Sequence, residues 1–567
     1  MISEKDINEK KRRFIQFLSL KLIFLLNIFF SINVFAQTLT VSSSQLNFGN
    51  TFENAPDSLQ ITIYNNMGKT VDVTGIKFYT TYGAPAFSAN SSGFSIPDGA
   101  SNIIWIKFSP LHNIFHNSEM VIENNGLRGY VNVDLLGQGK YSNTYYNLTE
   151  NLSEETLKTS LHNIMTSNYV NLTYSPARDS MFMVIDNQAV NGQGASQNTI
   201  ESIYTGTLAV GYIDRSDCQA NFSFNTEHTF PQSIFNSVEP MKSDLHHLFP
   251  TDDASNNERA DNPFGVVTNP TWTQGGSKSN GSIFEPRDQQ KGATARAMMY
   301  FVLRYANYSS FFTSQETILR TWHKNFALTQ VERKRNNDIY GMQNNRNAFV
   351  DYPQFIDRIT SISSTSVAPV VSSIDLPQDT IIYGYVAQSV NNIFHFVIVN
   401  NGNVNVQLSN FTLSHPGMLS FQTGGSNVTL PPGESAGLDI NFFTTVPDSI
   451  HGWLTFNTDV PGQSFISVPV FANDPVFNYV PELSQADISL FPDPVHDFCM
   501  INLPGNFPGR WSISIFDFAG KETKFSGKET NQNTMIINLQ NFTPGVYFVK
   551  CESKINGNIF YKKLLKY

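Results

Sequence analysis

The chain has 567 residues, 40% of them hydrophobic, with three Cys and 37 basic against 47 acidic side chains for a net charge of −10. At roughly 150 residues per domain this length predicts about four domains with real cores, which excludes wholesale disorder, and so few Cys exclude a disulfide framework. Net acidity argues against a protein that coats nucleic acid through bulk positive charge.

The first thirteen residues carry Lys5, Lys10, Lys11, Arg12 and Arg13 and lead into an apolar stretch from Phe17 to Ala36. Its uninterrupted apolar runs are short, and Lys21 and Asn27 would be costly at a bilayer centre. Val34-Phe35-Ala36 has the small-residue form of a cleavage site, so residues 1–36 read as a signal peptide. The mature chain is then expected to begin at Gln37, to be secreted or held at the cell surface, and to have no stable membrane span. A membrane anchor is the alternative.

Residues 37–141 read as short alternating strands separated by turns. Leu59 to Tyr64 runs into Asn65-Asn66-Met67-Gly68, and Ile103 to Phe108 follows Pro97-Asp98-Gly99. The pattern recurs over 368–475, where His395 to Val399 leads into Asn400-Asn401-Gly402 and Pro431-Pro432-Gly433 precedes Leu438 to Phe443. Asn65 and Asn400, Pro97 and Pro432, Phe108 and Phe443, and His116 and His451 are each 335 residues apart, the mark of an internal repeat. Period-2 strands at this spacing predict all-β sandwiches. Both copies resemble the immunoglobulin-like modules common in exported bacterial proteins. Neither holds a titratable cluster, which fits spacers or adhesive modules.

Between the copies, over 145–365, alternation gives way to helical periods and polar loops. Phe224 to Ser233 holds the adjacent pair Glu227-His228. Neighbouring side chains of a strand point to opposite faces, so these two can serve one substrate only where the strand ends, as Pro231 supports. Ser243 to Arg259 holds Asp244, His246 and His247, then a helix start near Asp252 to Ser255 that puts Asn256 and Arg259 on one face. Phe284 to Arg304 holds Arg287, then Arg296, Tyr300 and Arg304 at every fourth residue, on one side of a helix.

A neutral His can act as general base on water near pH 7. A carboxylate and a carboxamide oxygen are hard ligands that suit Mg²⁺. Such an ion can bind a phosphate oxygen and stabilise a leaving alkoxide, and arginines can grip phosphate oxygens. Together these groups fit phosphodiester hydrolysis.

Asn225 to Ser233, Ser243 to Pro250, Asn256-Asn257 with Arg259, Asn262-Pro-Phe-Gly265, Phe284-Glu-Pro286 with Lys291-Gly292 and Ala295-Arg296, and Asn345 to Asp351 resemble, in order and spacing, the bacterial endonuclease I family. The resemblance implies an α+β ββα-metal core that cleaves DNA, and often RNA too, with little sequence preference. It implies His228 as general base and Glu227 and Asn256 as ligands of a single Mg²⁺. Arg259, Arg287 and Arg296 are candidate phosphate contacts. Asp244, His246 and His247 carry the ligand types of zinc, but two of them are adjacent and no further ligand falls at zinc spacing, so a supporting or core-packing role is expected. Glu258 and Ala348 depart from the usual Arg and Pro of the family, and neither removes a catalytic group. The alternative function is a surface adhesin or nucleic-acid-binding module with an inactive nuclease core.

The last segment, 485–567, follows a linker that runs from Asn473 to Gln485. It opens on Phe491-Pro492-Asp493-Pro494, continues through Trp511 to Phe516 and Pro544 to Lys550, and ends on the basic Tyr561 to Tyr567. It resembles the C-terminal β-sandwich sorting domain of the type IX secretion system of Bacteroidetes, which implies that machinery as a partner. Charge is uneven along the chain. From Tyr145 to Phe284 there are six basic and fifteen acidic residues, and from Glu285 to Arg346 ten basic and five acidic. The second stretch is expected to hold phosphates weakly and in a salt-sensitive way.

Overall fold

The computed structural model describes residues 38–473, apart from 81–84, 127, 307–308, 387 and 447, and most of 489–566. The expected signal peptide with its cleavage site and the linker beyond Asn473 lie outside the described residues, as do Pro492, Asp493 and Pro494. The chain falls into two compact units. One runs through residue 381 and adds 393–441 and 454–468; the other takes 382–392, 442–453 and 469–567.

The first unit begins with nine strands: β1 (Thr40–Val41), β2 (Gln45–Phe52), β3 (Asp57–Tyr64), β4 (Val71–Thr80), β5 (Phe87–Ala89), β6 (Phe94–Ile96), β7 (Ser101–Phe108), β8 (Phe115–Asn124) and β9 (Val131–Lys140). They form one sheet in the order β1-β3-β7-β5 and another in the order β2-β9-β8-β4-β6. Alternation explains the layering. Ile104, Ile106 and Phe108 of β7 enter a core shared with Val71, Ile122 and Leu135 of the other sheet, while Ile103 and Trp105 face solvent.

The repeat is visible in its turns. The Asn65 side chain donates to the carbonyls of Lys69 and Ile96, and its backbone carbonyl accepts from Gly99. Asn400 does the same with Val404, Leu430 and Gly433. Gly99 and Gly433 both have positive φ, +71° and +77°, where a side chain would be strained. The match corrects the constant offset of 335 read from the sequence. Gly99 corresponds to Gly433, Phe108 to Phe442, Met120 to Leu454 and Ile122 to Phe456, an offset of 334. Burial decides between the two registers, because a one-residue slip turns every side chain to the other face. Phe108 and Phe442 are buried, whereas Phe443 is 37% exposed.

The central part contains α1 (Glu154–Thr166), α2 (Tyr174–Ser180), β10 (Thr199–Glu201), β11 (Leu208–Val210), α3 (Arg215–Phe222), β12 (Phe224–His228), β13 (Leu248–Asp252), α4 (Asp253–Arg259), α5 (Asp288–Tyr305), α6 (Glu316–Asn325) and α7 (Gln330–Gln343). α5 is apolar on most sides and is accordingly buried on most sides, against α1 and α6. Its buried Arg296 and Arg304 therefore need partners inside the protein.

The second unit contains two four-stranded sheets. One has the order Ser489–Phe491, Phe498–Asn502, Thr534–Asn538, Ser526–Asn531; the other Glu522–Thr523, Trp511–Asp517, Gly545–Ser553, Ile559–Lys566. Cys499, Ile501, Ile515, Ile537, Val549 and Leu564 fill the core between them. Among the described residues no helix is long and apolar enough to cross a membrane.

Candidate active site

β12 and β13 pair antiparallel, with Phe224 opposite Asp252, Glu227 opposite Phe249 and His228 opposite Leu248. α4 follows β13 without a loop, because Asp252 caps it. Its carboxylate accepts from Ser255 N–H at 2.9 Å and from the hydroxyls of Ser202 and Thr205, both at 2.7 Å. The helix is tied alongside β12 at both ends. Asp253 N–H donates to Ser223 O at 2.8 Å, Asn225 Nδ2 to Asp253 Oδ1 at 2.9 Å, and Arg259 Nη2 to Thr229 O at 2.6 Å. Asn256 lies midway, on the face of Arg259 and so beside the middle of β12.

Glu227 is buried. Its Oε1 accepts from Tyr204 Oη at 2.7 Å and lies 3.2 Å from Arg259 Nε. Burial pushes its carboxyl up, opposed by the Arg259 charge and the Tyr204 hydroxyl. Among the described residues its Oε2 and the Asn256 carboxamide have no hydrogen-bond partner. His228 is the last residue of β12, which is the strand end the sequence required. Its Nε2 lies 3.0 Å from Lys242 O. A carbonyl only accepts, so Nε2 carries the proton and the lone pair is left on Nδ1. Burial pushes the ring's pKa well down, which keeps it neutral.

Arg259 does not face outward as a phosphate contact must. It is fully buried, donates to Ala260 O and Thr229 O, stacks over Phe264 at 4.6 Å and is the counter-charge of Glu227. Arg296 is likewise buried and donates to Glu332 Oε1 and Oε2 at 2.5 and 2.8 Å. Arg287 pairs with Glu201 and donates to Ile203 O. Arg287, Arg296, Glu201, Glu332, Phe249 and Pro250 line a cleft of about 500 Å³. None of Glu227, His228 and Asn256 borders it.

Asp244, His246 and His247 are core groups. Asp244 accepts from Tyr300 and Tyr305 hydroxyls, both at 2.9 Å, from Gln343 Nε2 at 3.0 Å and from Arg304. Burial opposes its charge, but Arg304 holds its carboxyl well below the usual carboxylate range. The ring Nε2 of His246 meets Asn345 O at 3.2 Å and that of His247 meets Met241 O at 2.6 Å; burial pushes both down to about 4. Among the described residues no three His, Cys, Asp or Glu are grouped to hold a metal ion. The basic stretch is satisfied in the same way. Of the ten cations from Arg287 to Arg346, nine are ion-paired; among the described residues only Arg333 of this set is not.

The sequence did not mark Tyr204, which orients Glu227, or Tyr174, Arg178 and Lys242, which surround His228. Lys242 lies only fourteen residues after His228, but nothing in its local pattern separates it from a surface lysine.

The buried Glu227 and His228 at one strand end, with Asn256 on the pinned helix beside that strand, are the candidate groups of this site. Residues 153–354 match the family model of Endonuclease I, and residues 489–566 match that of the secretion system C-terminal sorting domain. The extracellular ribonuclease of Bacillus subtilis (strain 168) is 27% identical over 236 residues, which cover 38% of this chain and 78% of the relative. The extracellular ribonuclease of Bacillus amyloliquefaciens is 27% identical over 234 residues with the same coverage. Among solved structures, the E. coli chaperone DraB aligns with 34% of this chain and 95% of its own at 13% identity, with a TM-score of 0.17 that carries no weight for the fold. The match over the central segment, together with the extracellular nuclease relatives, makes it a nuclease domain, in a chain that is secreted or held at the cell surface.

Proposed function

We propose that this chain is an Mg²⁺-dependent, sequence-nonspecific endonuclease that hydrolyses DNA, and RNA as well, the substrate named for its two Bacillus relatives. In this reading β12, β13 and α4 form the ββα-metal motif, the two repeats are immunoglobulin-like modules flanking it, and the C-terminal domain is a type IX sorting signal.

The observation that carries the reading is the fixed tautomer of His228 at the end of the strand that also bears Glu227. Nδ1 takes the proton of a water that attacks phosphorus, and the P–O3′ bond breaks to leave a 5′-phosphate and a 3′-hydroxyl. Glu227 Oε2 and the Asn256 carboxamide oxygen are hard donors without a partner among the described residues, a set that suits Mg²⁺. When bound there, the ion would polarise a phosphate oxygen and stabilise the leaving alkoxide. Arg259 and Tyr204 orient the carboxylate and favour its charged form against burial.

The test is cleavage of plasmid DNA, single-stranded DNA and RNA by purified chain. His228→Ala is expected to lose nearly all cleavage, EDTA to abolish it and Mg²⁺ to restore it. Cutting by His228→Ala at the wild-type rate would overturn the mechanism. Rescue by Zn²⁺ alone would overturn the metal assignment.

A further inference from the structure

The strand that ends at His228 has two cations beside it that form no ion pair among the described residues. Thr226 and His228 are two apart on β12, so their side chains leave the strand on the same side. Thr226 Oγ1 accepts from Arg178 Nε at 3.0 Å. Arg178 sits one turn after Tyr174 on α2, with its guanidinium 4.9 Å from the centre of the Tyr174 ring. Lys242 Nζ lies 4.7 Å from the same centre, and that ring is 5.6 Å from the His228 imidazole. The backbone carbonyl of Lys242 is the acceptor that fixes the His228 tautomer. Three side chains, Arg178, Lys242 and His228, thus meet around the Tyr174 ring.

All three neighbours of His228 in this cluster are only partly buried. Among the described residues neither Arg178 nor Lys242 has an ion-pair partner, and Arg178 Nη1, Arg178 Nη2 and Lys242 Nζ have no acceptor. Cations over one aromatic ring are held in place by its quadrupole, but two of them together repel each other. An anion seated between them removes that cost. The contrast with the basic stretch is sharp, since its arginines already hold carboxylates.

We propose that Arg178 and Lys242 grip the phosphodiester backbone beside His228, and that Tyr174 is a positioning residue that holds the two cations. Arg178 presents two free guanidinium donors to phosphate oxygens, and Lys242 adds a point charge. The proposal rests on the reading of His228 as the base acting on a phosphodiester.

The test is binding of fluorescein-labelled oligothymidylate to the full chain in EDTA, followed by anisotropy over a series of NaCl concentrations. Arg178→Gln and Lys242→Gln are each expected to weaken binding about tenfold at low salt. Each is expected to lower the slope of log affinity against log salt by about 0.7, the value for one phosphate contact on a single strand. Arg178→Lys keeps most of the slope, Tyr174→Phe retains binding and Tyr174→Leu loses it. Unchanged slopes in Arg178→Gln and Lys242→Gln would overturn the proposal, as would an equal fall in the control Arg333→Gln. Cleavage does not enter the measurement. A chain that fails to cut but loses slope overturns the hydrolytic reading alone; a chain that cuts with unchanged slopes overturns this one alone.

Discussion

A carboxylate as deeply buried as that of Glu227 stays ionised only with a counter-charge, and Arg259 Nε at 3.2 Å supplies it. The pairing is built into α4: Arg259 lies three positions after Asn256, so one helical face carries both the counter-charge and the candidate amide ligand. Arg259→Ala leaves the burial that pushes the Glu227 carboxyl up and removes the charge that opposes it. The carboxyl is then pushed further above its ordinary value. On the reading of Glu227 as a metal ligand, the Mg²⁺ concentration for half-maximal cleavage should rise at least tenfold at pH 7 and partly recover as pH rises. Arg259→Lys keeps a charge but loses the paired bonds to Thr229 O and Ala260 O, so its defect should be smaller. An Mg²⁺ titration of cleavage rate at several pH values checks both. A half-saturation concentration unchanged in Arg259→Ala would exclude this role. This pairing was not legible in the sequence, because Arg259 and Glu227 are 32 positions apart and only the β12-β13-α4 turn brings them together.

At the scale of elements, what was legible was local. Alternation located β7, the Asp252 cap located α4, and the four-residue spacing of Arg296, Tyr300 and Arg304 located α5. What was hidden is contact between elements. An arginine that ends a helix turn reads the same whether it meets phosphate or, as Arg296 does, a glutamate on α7. β8 shows the same limit. Glu119 sits directly opposite Asp134 of β9, is fully buried, and neither of its oxygens meets a donor in hydrogen-bonding geometry. Burial pushes its carboxyl up to about 8; Ser435 and Asn132 oppose the rise and Asp134 adds to it. The folded state therefore holds a proton that the unfolded chain has already released above about pH 4.3. Stability falls as pH rises, by about 1.5 kcal/mol between pH 6.5 and 8. Buried His112 and His116, pushed down to about 4, act with the opposite sign, but only below the ordinary histidine value near 6.5. The opening free energy from amide exchange at Met120 and Ile122 should decline across pH 6.5–8, and Glu119→Gln should flatten it. A decline of the same size in Glu119→Gln would assign it to another group.

At the scale of the whole molecule, the net charge of −10 goes with a nuclease domain in which, among the described residues, most cations between Glu285 and Arg346 are already paired with carboxylates. The surplus of basic residues between Glu285 and Arg346 holds the nuclease domain together through carboxylates from several segments, including Glu201, Asp244 and Asp186. On the proposal for Arg178 and Lys242, contact with nucleic acid falls to the cations near His228, which suits an enzyme that must release its product. Sorting is a separate task held in a separate unit. Residues 489–566 have their own core, including Val495, Ile515 and Leu564, and contain none of the residues proposed for hydrolysis. Deleting 489–566 should therefore leave the specific activity of purified protein within about twofold of the full chain, while the nuclease fails to reach the medium or cell surface of a host with a type IX system. Fractionation with a nuclease assay on medium, cell surface and periplasm reads both effects. Activity at the normal level outside the cell would exclude this domain as the sorting signal, and loss of activity in the purified truncated protein would mean that the nuclease domain depends on it to fold.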